Sequence, residues 1–312
     1  MKAPVIFRHN FHRLRINTNF KYINKKIIIP LHKPVCYLNG SWIPLSEASV
    51  PVSDLGLLRG YGLFDFLRVT ENVPLFLEDH IDRFFHSAYI MRLPIGKTKD
   101  EMITIIRELV QKNNLPVSGI KILLTGGNSS DGYSIAEPNF ILIQKSIAPT
   151  PTTILVPGYQ LITYPYHRQM PDVKTTDYLM AIQLQPWLKE KGGDDLLYHQ
   201  QGIVSECPRS NFFMVTRDNR LITPGKNILK GITRKHVLKI ASEKGIVAEE
   251  KEITLEDIKM AKEAFISSST KRLIPVIKID DITLSPFSEN SITAKLYAAF
   301  LERENLEIIR NK

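Results

Sequence analysis

Asp172-Val173-Lys174-Thr175-Thr176-Asp177-Tyr178-Leu179 places a lysine just ahead of apolar residues at helical spacing: Leu179, Ile182, Leu184, Trp187 and Leu188. A lysine at the mouth of a helix is either surface decoration or a nucleophile whose amine meets a cofactor carbonyl. The segments on either side of it bear on that choice.

Downstream, Asp194 to Tyr198 has the pattern of a strand, Gln200-Gln201-Gly202 of a turn, and Val204 to Val215 of a tight bend leading into an apolar strand. Glu206 stands in that bend between apolar strands. A carboxylate buried there needs a cationic partner. Two partners fit: Arg209 in a local salt bridge, or a protonated ring nitrogen. Arg217-Asp218-Asn219-Arg220 forms a hairpin turn. Leu229-Lys230-Gly231-Ile232-Thr233-Arg234 then opens a helix that runs to about Lys244. A glycine before a helix start leaves the first-turn N–H groups open, which is either simply a good helix start or a phosphate site. Thr254 and Asp257 cap a short helix to Lys262. Ala264 to Thr270 is a strand ending in four hydroxyls, Ser267, Ser268, Ser269 and Thr270. These either finish a phosphate cup or cap the next turn. A closing hairpin at Val276 to Asp281 and a helix over 291–305 end the chain.

Upstream, Tyr37 to Pro44 carries an Asn39-Gly40 hairpin signal. Gly56, Gly60 and Gly62 crowd the approach to a strand at Leu63 to Arg68, with Arg59 where backbone can come close to a ligand. A helix is expected over 78–93 with Ile81, Phe84, Phe85 and Ala88 inward. Arg83 on that helix is solvated, paired with a carboxylate, or turned inward as a bidentate phosphate ligand. Thr98 and Glu101 make a capping box for a second helix to about Asn113, whose apolar face is Met102, Ile105, Ile106 and Leu109. Strands follow at 119–125 and 139–144, joined by a polar glycine-rich loop. Ala148-Pro149-Thr150-Pro151-Thr152 reads as a linker. The expected organisation is α+β: a basic extension at 1–33 without a role in the chemistry, a small α/β domain at 34–147, the linker at 148–152, and a larger domain at 153–312.

Composition excludes several classes. With 312 residues, 43% hydrophobic and 23% charged, the chain is ordinary globular protein, and no apolar run reaches a membrane span. Cys36 and Cys207 offer no metal spacing and no disulfide framework, and point to a reducing compartment, the cytoplasm. The net charge of +9 suggests nucleic acid until it is located: residues 1–33 hold eight Lys or Arg and no acid, which leaves about +1 for the rest. Nucleic-acid binding is therefore set aside.

Taken together, these stretches resemble the class IV, fold-type IV family of pyridoxal-phosphate enzymes, which holds D-amino acid aminotransferases, branched-chain aminotransferases and aminodeoxychorismate lyase. The resemblance covers nearly all of 35–312 and rests on five elements in order. These are the glycine-rich strand at 60–68, His80-x-x-Arg83, Lys174, the bend from Glu206 to Ser210-Asn211-x-Phe213, and Gly231-Ile232-Thr233-Arg234. It implies a small N-terminal α/β domain, a larger β-barrel-like C-terminal domain with helices, and pyridoxal 5'-phosphate as cofactor. Lys174 would be its covalent anchor and proton carrier, Glu206 the partner of the ring nitrogen, and Tyr178 that of the ring oxygen. Arg83, the N–H groups of Ile232 and Thr233, Ser269 and, more weakly, Thr270 would hold the phosphate. A homodimer is also implied, with Arg59 facing the partner's cofactor.

Departures from the family bear on substrate. Branched-chain enzymes show Phe-Glu-Gly-x-Arg where this chain has Phe64-Asp65-Phe66-Leu67-Arg68, and space lysine and tyrosine one residue further apart. The Arg-x-His carboxylate trap of the better-known D-amino acid enzymes is missing from Thr125 to Gly132. Arg209, Arg59 and Lys121 supply other cations. The implied activity is transamination between a D-amino acid, such as D-alanine or D-glutamate, and a 2-oxo acid such as 2-oxoglutarate. Branched-chain L-amino acid transamination ranks second and the lyase third.

Overall fold

The computed structural model describes residues 33–154, 157–285 and 287–312. Apart from Lys33, the basic extension lies outside them.

The first sheet begins with β1 (Val35–Leu38) and β2 (Ser41–Pro44), joined by Asn39 and Gly40 with φ of 48° and 96°. Both positive values are what a tight Asn-Gly hairpin requires. The expected turn before the third strand contains a short helix, α1 (Leu55–Arg59). Asp54 caps it through Gly56 N at 2.6 Å, and also takes Thr125 Oγ1 and Asn139 Nδ2 at 2.5 Å each. Gly60, at φ 67°, ends the helix in the left-handed region. The chain then enters β3 (Gly62–Thr70), β4 (Val73–Pro74), α2 (Leu77–Ile90) and α3 (Lys99–Asn113). Both bonds of the Thr98–Glu101 capping box form. Strands β5 (Val117–Thr125) and β6 (Phe140–Ser146) complete an antiparallel sheet in the order β2-β1-β6-β5-β3-β4. Strand alternation then sorts the side chains. Leu63, Leu67, Ile120 and Ile122 pack under Ile81, Phe84, Met102 and Ile106 of the two helices. Phe64, Phe66, Lys121 and Leu123 are left on the other face.

The second sheet starts with β7 (Tyr159–Pro165), for which the sequence carried no distinct signal. After it come α4 (Leu179–Gln183) and α5 (Gln185–Glu190). The single helix expected after Lys174 is therefore two short ones. Leu184 is buried with Leu196 and Tyr198, and Trp187 and Leu188 pack against them, but Leu179 and Ile182 are 72% and 63% exposed. The chain continues through β8 (Asp195–Gln200), β9 (Ile203–Val204), β10 (Glu206–Cys207), β11 (Ser210–Val215) and β12 (Leu221–Thr223). It then passes α6 (Ile232–Glu243), β13 (Ala248–Glu250), β14 (Ile253–Thr254) and α7 (Leu255–Lys259). The last elements are β15 (Glu263–Ser268), β16 (Arg272–Ile279), β17 (Ile282–Thr283) and α8 (Ile292–Asn311). The capping box of Thr254 and Asp257 opens α7, which stops short of the expected Lys262. The sheet has 11 strands, with β11-β15-β16-β7-β8 through its middle and parallel pairings at β7–β8 and β7–β16. Helices α6 and α8 bury Val237, Ile240, Leu296 and Phe300 against Phe213 and Phe265.

A buried ion triad joins the first sheet to the C-terminal helix. Glu304 of α8 accepts from Arg68 of β3 and, at 2.8 Å, from Arg272 Nε of β16. Arg272 Nη1 also reaches the Thr150 carbonyl at 3.1 Å, inside the segment read as a linker. All three side chains are under 9% exposed. Removing one partner of a buried pair strands the others, a loss of about 3–5 kcal/mol. Glu304→Ala is expected to lower unfolding stability by that much in urea titration; Glu304→Gln should lose less.

Candidate active site

Lys174 is fixed by backbone pairing. Its carbonyl accepts from Phe64 N at 2.9 Å, and Thr176 N donates to Gly62 O at 2.9 Å, so the lysine loop lies along the start of β3. A Cβ on Gly62 would stand 3.1 Å from Leu124 O and 3.3 Å from Thr176 Oγ1; glycine gives this close approach its room. Lys174 Nζ lies 4.8 Å from the Phe64 ring centre. It borders a cavity of about 530 Å³ between the Phe64 and Phe66 face of the first sheet and the ends of β10, β11 and β15 in the second, a size typical of small-molecule sites.

Two acid–arginine pairs flank the lysine. Glu206, at the bend between β10 and β11, is buried and takes Arg168 Nε at 2.9 Å on Oε1. Its Oε2 takes Leu229 N at 3.0 Å and faces Asn211 Nδ2 at 3.5 Å. The local salt bridge between Glu206 and Arg209 does not form. Tertiary packing supplies Arg168 instead, which also donates to the carbonyls of Val173, at 2.8 Å, and Pro171. Arg168 thus ties the acid to the lysine loop. Nothing in the run Tyr166-His167-Arg168 signals this role. Burial pushes the Glu206 pKa up, while Arg168 and the Leu229 N–H act against it.

On the other side Asp65 is fully buried and holds Arg83 through Nε and Nη2, both at 2.8 Å, and His80 Nδ1 at 2.7 Å. Burial would raise the Asp65 pKa, but Arg83 and His80 hold it well below the usual carboxylate range. The Lys174 amine is pushed down to about 8, first by burial and then by Arg83, with Asp65 opposing. Arg83 is therefore carboxylate-paired and also lines the cavity. The pairing uses Nε and Nη2 of its guanidinium and leaves Nη1, which lies 3.5 Å from Lys230 O.

The remaining wall comes from α6 and the end of β15. Gly231 caps α6 with no side-chain hydrogen bond, so the N–H groups of Ile232 and Thr233 are open at a helix N-terminus. A Cβ on Gly231 would collide with Asn211 Oδ1. Ser269 and Thr270 line the same end. The hydroxyls of Ser210 and Ser267, buried and bordering the cavity, have no hydrogen-bond partner among the described residues. Tyr178 lies 5.9 Å from Phe64, ring to ring, and burial raises its phenol pKa. Arg209 and Lys121 line the rim, and Lys121 Nζ is 5.4 Å from the Phe64 ring. Arg59 does not line this chain's cavity. It is exposed on α1 and donates from Nε to Gly132 O at 3.0 Å. Among the described residues, no group of His, Cys, Asp and Glu could hold a metal, and no helix is long and apolar enough to cross a membrane.

This donor set fits pyridoxal phosphate: an amine, a buried acid, a phenol, and an uncapped helix start with an arginine and hydroxyls for a dianion. Comparison with known proteins agrees. Residues 62–279 match the amino-transferase class IV family, and the chain belongs to that family. Class IV aminotransferases depend on pyridoxal phosphate. A Methanocaldococcus jannaschii protein described as "Putative branched-chain-amino-acid aminotransferase" is 34% identical over 85% of this chain and 94% of its own length. A D-alanine aminotransferase of Staphylococcus haemolyticus is 28% identical over 85% and 95%. The structure of a branched-chain aminotransferase from Thermoproteus uzoniensis with norvaline superposes with a TM-score of 0.76 at 28% identity, covering 86% of this chain and 93% of that one. The chain is a class IV aminotransferase with the fold-type IV architecture.

Proposed function

We propose that this chain uses pyridoxal phosphate to move an amino group between a D-amino acid, such as D-alanine or D-glutamate, and a 2-oxo acid such as 2-oxoglutarate. When bound, the cofactor supplies an electron sink at its ring and an aldehyde that an amine can attack. Lys174 is the amine that carries it and the base that moves the proton at the substrate Cα. Glu206 holds the ring nitrogen's proton, and Arg168 holds Glu206. Tyr178 donates to the ring oxygen. Arg83, Ile232 N, Thr233 N, Ser269 and Thr270 receive the phosphate, and Lys121 and Arg209 lie on the substrate side.

Arg209 is the observation that carries the D-amino acid reading. It lines the cavity near Tyr178, where its charge opposes the burial that raises the phenol pKa, and among the described residues it makes no ion pair. Because Arg168 already serves Glu206, the Arg209 fork is left for a substrate carboxylate. Arg209→Ala is expected to slow the D-alanine half-reaction about 30- to 150-fold, the worth of a charge-assisted pair, with cofactor content unchanged. Single-turnover kinetics on D-alanine, D-glutamate, L-leucine and aminodeoxychorismate test it. Wild-type reaction with L-leucine alone would replace this reading by branched-chain transamination, which the Methanocaldococcus relative favours.

The active unit is proposed to be a homodimer in which Arg59 reaches the partner's cavity. In support, Arg59 is exposed on a helix that also shows Leu57 and Leu58 to solvent. Sedimentation is expected to give a dimer; a fully active monomer would refute it.

A further inference from the structure

The cavity ends along β3 at one side chain. Gly62, Phe64, Phe66, Arg68 and Thr70 alternate onto the cavity-side face of that strand. Phe64 stands at the level of Lys174, whose carbonyl its N–H meets and whose amine lies over its ring. Arg68 is sealed in the ion triad with Glu304. Phe66 is therefore the last residue on this face that borders the cavity. It stands one pleat, about 7 Å, beyond the level of the amine, the distance over which a side chain extends from a Cα held at Lys174.

The ring's position is set by a glycine on the neighbouring strand. In the β3–β5 register Phe66 faces Lys121 and Arg68 faces Gly119, so Gly119 is the diagonal neighbour of Phe66. A Cβ at 119 would lie 2.6 Å from Phe66 Cε2 and closer still to Cζ. The tip of the ring fills the space that a side chain at 119 would occupy and covers Gly119, which does not line the cavity. A smaller residue at 66 opens the cavity down to Gly119; a side chain at 119 lifts the ring into the cavity.

We propose that the Phe66 ring, seated on Gly119, is the wall that limits the apolar bulk of the substrate side chain. This rests on the reading of the cavity as an amino-acid site. The wall selects against branched apolar side chains, while Lys121 directly across from Phe66 leaves a cation for an acidic one.

The test is equilibrium binding of two unreactive carboxylates, propionate and 4-methylpentanoate, to the holoenzyme, read from the change in cofactor absorption. Phe66→Ala is expected to tighten 4-methylpentanoate about tenfold relative to propionate, close to the worth of two buried methylenes. Gly119→Ala is expected to weaken 4-methylpentanoate several-fold relative to propionate. Phe66→Ala/Gly119→Ala should still bind 4-methylpentanoate more tightly than wild type relative to propionate, since the ring that residue 119 displaces is gone and its methyl fills only part of the space. Thermal melts accompany each variant, and Phe66→Leu with the same trend at smaller size serves if the alanine protein unfolds. If propionate binds and the ratio stays at the wild-type value in all variants, the wall is refuted and the amino-acid site stands. If neither carboxylate perturbs the wild-type cofactor, the amino-acid site fails and the wall with it.

Discussion

Lys174→Ala is expected, with both proteins compared as apoenzymes, to keep an undiminished melting temperature, and when supplied with cofactor to lose turnover by a factor of about 10⁴ or more, the scale of an absent general base combined with an absent covalent anchor. The two outcomes separate because the backbone and side chain of this residue do different things. Its carbonyl holds Phe64 N, and alanine keeps that bond. Its ammonium makes no ion pair among the described residues and only faces the Phe64 ring. A lysine whose folded pKa is pushed down to about 8 from an ordinary 10.5 carries a charge that the native state disfavours. Below about pH 8 both folded and unfolded chains hold the proton, and the native state bears the full cost. Between about 8 and 10.5 the native amine sheds its proton while the unfolded one keeps it, so wild-type stability from this group rises with pH. The alanine variant lacks the cost, and its gain over wild type should be greatest near pH 7 and fade toward pH 10. Calorimetry across that range checks the sign. Reloading of wild-type apoenzyme with cofactor should accelerate as pH rises through about 8, since only the free amine attacks. Borohydride reduction and peptide mapping identify the anchor directly, and a pyridoxyl label on another lysine would remove Lys174 from its role.

Features with local causes were legible from the chain itself. The capping boxes at Thr98 and Thr254, the Asn39-Gly40 hairpin and the uncapped helix start at Gly231 each depend on residues within a few positions of one another. Lys174 and Glu206 were legible as residue types in a pattern, and the fold brings both to one cavity. Partner choice was not legible. Arg168 and Glu206 are 38 residues apart, and Arg209, three residues away, looked the nearer partner for the acid. The local candidate lost because the chain from Arg168 to Lys174 folds across Glu206. The same holds for Asp65: alternation on β3 puts it on the side of Leu63 and Leu67, but only the docking of α2 shows that Arg83 and His80 meet it. Leu179 and Ile182 show a further limit. Periodicity reveals a stripe on a helix, not what covers it, and here nothing among the described residues does.

Glu206→Gln is expected to cost about 10²- to 10³-fold in the half-reaction rate, the range for removal of one preorganised electrostatic partner, and about 3–5 kcal/mol of stability. The amide keeps the shape and can still accept from Leu229 N. It removes the negative charge that Arg168 meets at 2.9 Å, and the Arg168 side chain is only 16% exposed. A stranded buried guanidinium accounts for the stability loss; a ring nitrogen without an anionic partner would account for the rate. These two causes can be pulled apart. Adding Arg168→Met removes the stranded cation while filling much of its volume, so the double variant should recover a large part of the stability. Its rate should stay low, because the acid is still missing. Urea titration and single-turnover kinetics on the same preparations give both numbers. If rate and stability return together in Glu206→Gln/Arg168→Met, then Glu206 serves only to neutralise Arg168, and the partner of the cofactor's ring nitrogen has to be sought elsewhere on the cavity wall.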